Sequence, residues 1–143
     1  MFRKHRVFRE TDDVVFYDIT VEESNASDLV VHEGAATSPP DDFIGAKQFY
    51  IHSFQDDYNR VVSGERTFEL VNYDWKCPYH IVNLNRSSGA LFIPRGTFHR
   101  SVSGEGGSIV IILETMNIEL FCSNKIIRWR CCSSCMNYKI RCI

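Results

Sequence analysis

Three side chains able to do acid–base or metal chemistry, His52, Asp57 and His99, stand in this chain, with Tyr50 two positions before the first of them. Imidazole titrates near working pH, so a histidine can lift a proton beside a carbonyl and return it to the neighbouring carbon. Two neutral imidazoles and one carboxylate also form a face for Fe(II), Mn(II) or Zn(II), with positions left open for substrate. The phenol of Tyr50 can donate a hydrogen bond to a carbonyl or a developing enolate. Equally, it can fill space with its hydroxyl satisfied locally. Asp57, within Gln55-Asp56-Asp57-Tyr58, has a plainer reading as the cap of an exposed turn. Arg60, Arg95 and Arg100 could grip a phosphate or carboxylate through bidentate bonds, although arginines more often stand solvated.

Those groups need strands to bring them together. Residues two apart in a strand share a face, so Gln48, Tyr50 and His52 point one way while Phe49 and Ile51 point the other. Thr97, His99 and Ser101 likewise share a face. The stretch from Gly89 to Ser103 reads as an apolar strand, a Pro94-Arg95-Gly96 turn and a second strand carrying His99. Proline presets the turn and glycine completes it. Further strands are expected near 6–9, 14–21, 28–32, 46–54, 59–63, 66–72, 79–84, 89–93, 97–102 and 107–114. Residues 34–42 read as a loop because Pro39 and Pro40 forbid ladder bonding. Gly104 to Gly107 reads as a hairpin turn, and Ile109 to Leu113 as a strand buried on both faces. A small barrel built this way has room for one ligand. Gln48, Arg60, Arg95, Thr97 and Ser101 would then contact it, beside His52, His99 and Tyr50.

The Pro94-to-His99 turn with Gly89 ahead of it resembles the second sequence motif of the cupin superfamily, with Ser103 where that motif carries asparagine. Upstream, Gly45, Tyr50-Ile51-His52, Asp57 and Gly64 resemble the first motif, with tyrosine in place of its first histidine and aspartate in place of its glutamate. Between Gly64 and Gly89 lie 24 residues, a suitable intermotif length. The resemblance implies an all-β fold, a single jelly-roll β-barrel. Around Lys47-Gln-Phe-Tyr-Ile-His52 and Val61-Val-Ser-Gly64 the pattern looks like the sugar-nucleotide 3,4-ketoisomerase branch. In that branch a His-x-His pair precedes a Val-Ser-Gly turn, and an arginine–glycine pair precedes the histidines; here Gln48-Phe49 stands there. Three functions follow as expectations. One is small-molecule binding, of a carbohydrate or nucleotide-sugar ligand, without a cofactor. Another is a keto-sugar isomerase using His52 and His99. The third is an enzyme with one divalent metal on His52, Asp57 and His99. Such barrels commonly pair, so a homodimer is expected.

Composition agrees. With 143 residues the chain suffices for one domain with a real core. A net charge of −2 argues against a nucleic-acid partner, and no apolar run is long enough to span a membrane. The basic start leads into acidic residues, not an apolar signal core, so a cytoplasmic protein with mostly reduced thiols is expected. Charge is uneven: residues 1–117 hold 11 Lys/Arg against 17 Asp/Glu, and residues 118–143 hold five against one. Five of the six cysteines, Cys122, Cys131, Cys132, Cys135 and Cys142, fall in that second segment. The expected organisation is a barrel over 1–117 and a basic, cysteine-rich extension over 118–143. One Cys-x-x-Cys, Cys132 to Cys135, with Cys122 and Cys142 could hold zinc, although zinc sites usually show two such pairs. The simpler reading packs Ile118, Phe121, Ile126, Ile127 and Trp129 against the barrel or a second subunit.

Overall fold

The computed structural model describes residues 6–22, 24, 26–115 and 141–142, so the zinc and packing expectations for residues 118–140 lie outside the described residues. Among those described, the chain is all β. Its strands are β1 (Arg6–Glu10), β2 (Val14–Asp18), β3 (Ala26–His32), β4 (Thr37–Ser38), β5 (Gln48–Phe49), β6 (Asp56–Val71), β7 (Tyr79–Asn85), β8 (Ala90–Ile93), β9 (Phe98–Thr115) and β10 (Arg141–Cys142). No helix among these residues is long and apolar enough to cross a membrane.

Two long strands organise everything else. β6 and β9 pair antiparallel from Val71↔Phe98 to Asp56↔Thr115, and each serves two neighbourhoods. The first half of β6 pairs with β8 and the second half with β7. The last part of β9 pairs with β3, which continues to β2 and β1, while its first part pairs with β4. Both strands therefore bend midway and pass from one layer to the other, the jelly-roll arrangement of a small β-barrel. Val61, Leu91, Ile93 and Val110 from one layer pack against Phe68, Leu70, Val82 and Leu84 from the other, forming one core cluster. A second cluster of Val14, Phe16, Val30 and Ala36 lies under β2 and β3.

The bend corrects one sequence expectation. Gly104 to Gly107 is not a hairpin turn between two strands; β9 runs through it. Gly64 pairs with Ser108 and Arg66 with Ser103, so those four residues face Glu65 alone, an enlarged bulge. Gly64 and Gly107 both have positive φ, and a Cβ on Gly64 would sit 2.2 Å from the Gly107 carbonyl oxygen. Only glycine allows both the angle and the approach. The expected strands at 59–63 and 66–72 are likewise one. The 46–54 strand contracts to β5 with an isolated bridge at Tyr50, and the 34–42 loop contains β4, which stops at Ser38 before the prolines. Cys77, between β6 and β7, is disulfide-bonded.

Candidate functional site

Tyr50 and His99 exchange both backbone hydrogen bonds, each at 2.9 Å, which places their side chains opposite one another on the same face. Their ring centroids are 5.9 Å apart. The turn is tied to the same segment, because Gly96 N–H donates to the His52 carbonyl at 2.8 Å. His52 and His99 stack with centroids 5.2 Å apart. Asp57 comes from the start of β6, paired with Ile93 and Glu114. Its Oδ2 lies 3.3 Å from His52 Nε2 and 3.7 Å from His99 Nε2. The three groups singled out from the sequence are thus brought together.

They open onto a cavity of about 180 Å³ that Tyr50, Ser101, Phe8, Phe16 and Phe68 also line. The other expected contacts stand elsewhere. Thr97 is buried behind the wall; its hydroxyl accepts from the Asn72 side-chain amide at 2.9 Å. Arg95 binds Asp56 through both backbone and side chain. Arg60 is exposed outside the cavity, and Arg100 pairs with Asp41. Gln48 sits outside the wall, with its backbone beside Arg141 of β10. Sequence reasoning missed Arg9, Asp28, Asn59, Arg66 and Glu114, all of which line the cavity. The one signal was available in the strand alternation, which puts Asp57, Asn59 and Val61 on the core face, and Asp28 with Val30.

Hydrogen bonds fix the protons. The Thr97 carbonyl is 3.1 Å from His99 Nδ1; a carbonyl only accepts, so Nδ1 carries the hydrogen and Nε2 presents a lone pair. The Gln55 amide nitrogen lies 3.3 Å from His52 Nδ1. With the amide donating, the His52 proton rests on Nε2, facing Asp57. Burial lowers His99 to about 4, with the Thr97 carbonyl opposing. His52 is also lowered by burial, against the pull of Glu114. Asp57 moves the other way, up to about 8, first through burial and then through Glu114, Asp56 and Asp28. At neutral pH the centre is a protonated carboxyl between two neutral imidazoles of opposite tautomer. Such a pairing can take up a proton at His99 Nε2 and deliver one from Asp57.

Tyr50 is committed locally. Its hydroxyl accepts from the Arg9 guanidinium and lies 3.3 Å from Ser38 Oγ. The guanidinium carbon lies 4.1 Å from the Phe16 ring centroid and 4.8 Å from that of Tyr50, so β1 delivers a cation–π contact to the cavity.

The fold is that of a cupin-like β-barrel. Solved structures with this fold include oxalate decarboxylase from Bacillus subtilis, with TM-score 0.60, 14% identity, and coverage of 77% of this chain and 27% of that one. The Drosophila melanogaster CENP-C cupin domain matches with TM-score 0.59 and 13% identity, over 76% of this chain and 74% of that one. CENP-C bound to CAL1 matches at TM-score 0.58, over 76% of each chain. Identities this low show the fold alone. The chain spans about a quarter of the oxalate decarboxylase chain. No protein-family model and no curated protein matches the sequence.

A divalent metal fits this donor set. The ligand atoms of His52, Asp57 and His99 lie within 4.8 Å of one another, and Asp57 Oδ1 is buried without a partner. Two imidazoles and a carboxylate would hold the ion, with His99 oriented by Thr97 from behind. Tyr50, engaged by Arg9, would not complete the set.

Proposed function

We propose that the barrel interior binds one compact, hydroxyl-rich small molecule of the carbohydrate type. The observation that carries this reading is the convergence of His52, Asp57 and His99 on one cavity that three phenylalanines also line. Imidazoles and carboxyl groups exchange hydrogen bonds with hydroxyls, while aromatic faces cover the C–H side of a sugar ring. At about 180 Å³ the cavity falls below the roughly 300 Å³ where drug-sized sites begin. A nucleotide sugar would therefore place only its sugar inside. On such a ligand, His99 Nε2 as base and the Asp57 carboxyl as acid would support ketone-migrating isomerisation. A metal on His52, Asp57 and His99 would instead supply a Lewis acid that polarises a substrate oxygen.

The test is calorimetry and thermal shift with neutral and acidic monosaccharides, sugar phosphates and nucleotide sugars. Chelator-washed and Mn(II)- or Zn(II)-loaded protein are run in parallel, with His99→Ala alongside. Binding that His99→Ala removes supports the reading. No response from any sugar in either form would sink it. Elemental analysis of the loaded samples separates the metal-dependent version from the metal-free one, and isomer formation detected by NMR separates enzyme from binder.

A second reading, an assembly module pairing two copies of the chain, is favoured by large apolar side chains left in solvent. Phe43 is 95% exposed, Phe54 80% and Ile44 65%, and such groups commonly mark protein contacts. Light scattering should give twice the chain mass, reverting to one chain with Phe43→Ser/Phe54→Ser. A monomeric parent protein refutes it.

A further inference from the structure

Among the described residues, Arg66 is a buried charge with no ion-pair partner. It sits on β6 just beyond the bend, 2% exposed, and lines the cavity. Its Nε donates to Ser108 Oγ at 2.9 Å and one terminal nitrogen reaches the Ser108 carbonyl at 3.4 Å. Both partners are neutral. Among the described residues no carboxylate is within ion-pair distance of it; the cavity's acids, Asp28, Asp57 and Glu114, belong to the other halves of the long strands and their neighbour β3. Burial alone lowers the guanidinium to about 9, and no acidic group opposes that fall. The neighbouring His32 is held neutral, pushed down to about 3 by burial and then by Arg66 itself. A guanidinium keeps its proton even so. A buried cation without a counter-charge is costly to retain and is normally paired or bound to a ligand.

We propose that Arg66 is the anion-binding residue of the cavity, receiving a carboxylate or phosphate group on a ligand whose hydroxyls face His52, Asp57 and His99. This deepens the carbohydrate reading and rests on it for the hydroxyl end: the ligand class becomes a sugar acid or a sugar phosphate. Arg9 at β1 supplies the only other cation on the cavity wall among the described residues. Unlike Arg66, it already has electrostatic company in Asp28. The planar guanidinium of Arg66 suits a two-oxygen contact with either anion. The acidic groups near His99 would repel the charged end, so the two ends of the cavity set the direction in which a ligand lies.

Two sets of probes separate the anion site from the sugar reading. Acetate and inorganic phosphate, without any sugar, are titrated against the whole chain, Arg66→Gln, Arg66→Met and the exposed-charge control Arg86→Gln by thermal shift. The expected result is saturable stabilisation of the parent and of Arg86→Gln that both Arg66 variants lose. Stabilisation of all four alike, or of none, overturns the proposal. Glucuronate, glucose 6-phosphate and glucose are then compared by calorimetry. Acidic sugars should bind about 10- to 100-fold more tightly than glucose, the range of a charge-assisted contact, and Arg66→Gln should erase that preference. Preference for glucuronate over glucose 6-phosphate identifies the carboxylate, and the reverse the phosphate. Equal affinity for glucose and the acids overturns the assignment even if sugars bind. Anions that act through Arg66 while no sugar binds would leave the anion site standing and remove the carbohydrate reading. Far-UV circular dichroism establishes that the variants fold; should Arg66→Gln fail to fold, Arg66→Met, which keeps the buried stem, carries the comparison.

Discussion

Replacing Asp57 with asparagine should stabilise the protein at neutral and alkaline pH while disabling its centre. In the folded chain the carboxyl is pushed up from 3.8 to about 8, chiefly by burial. Folded Asp57 therefore holds its proton to a higher pH than the unfolded chain does. Its contribution favours folding fully below about pH 4 and is lost progressively as pH rises toward 8. At about 1.4 kcal/mol per pH unit the full difference approaches 5–6 kcal/mol. The buried asparagine amide carries a desolvation cost of its own, about 3 kcal/mol at every pH, that offsets part of that figure. A net gain of about 2 kcal/mol for Asp57→Asn at pH 7.5 is the working value, or about 6 °C in Tm for a domain of this size. Asparagine is nearly isosteric and does not titrate, so the gain should shrink as pH falls and be gone by about pH 6. Thermal melts of both proteins from pH 4.5 to 8.5 read it directly. A variant less stable at pH 7.5, or a difference that does not change with pH, would refute a protonated, uncompensated Asp57. Loss of metal uptake or sugar binding in the stabilised variant would mark the carboxyl as kept for function at the expense of stability.

Three further outcomes are expected. Gly64→Ala must place its Cβ against the Gly107 carbonyl at a backbone angle that side chains avoid, so urea unfolding should show a loss of at least about 2 kcal/mol; a loss under half that would show that the bend relaxes freely. Thr97→Val leaves the buried Asn72 amide without its acceptor and should lower stability by about 1–2 kcal/mol. The His99 ring should stay in place because the Thr97 carbonyl is untouched, as NMR of its ring signals would show. In an NMR titration of the parent, His99 should remain neutral down to about pH 4, and a midpoint near 6.5 would contradict its burial.

Much of the fold was legible because turn chemistry is local. The Pro94-Arg95-Gly96 turn, the alternation that gives Tyr50 and His52 one face, and the apolar run from Ile109 to Leu113 need no distant partner to be recognised. Gly104 to Gly107 misled because glycines that end a hairpin and glycines that permit a bulge have the same local preference; only the approach of Gly107 to the His32 carbonyl oxygen distinguishes them. In the site, His52, Asp57 and His99 were readable through the motif resemblance, with strand alternation giving each histidine its face. Arg9 and Arg66 were not. Each is a charged residue on a strand otherwise ordinary in composition, and its inward direction depends on register set by partners far along the chain. Arg60 and Arg95, picked for their charge, lie outside the wall because alternation or the turn directs them there.

The long β6–β9 ribbon also dictates the order in which the molecule can be made. Its innermost pair, Val71↔Phe98, already encloses 26 residues, and its outermost, Asp56↔Thr115, encloses 58. Closing loops of that span precedes any reward from pairing, which slows folding relative to a meander of adjacent hairpins. The enclosed strands β7 and β8 both pair with β6, so they can shorten the search by gathering that chain first. Once zipped, the ribbon is the part of the molecule last to open, and its amide hydrogens should be the slowest to exchange with solvent. His99 and Asp57 both belong to it. The centre is thus mounted on the element whose formation is slowest and whose opening is rarest, whereas Arg9 arrives on β1, the edge strand of the sheet.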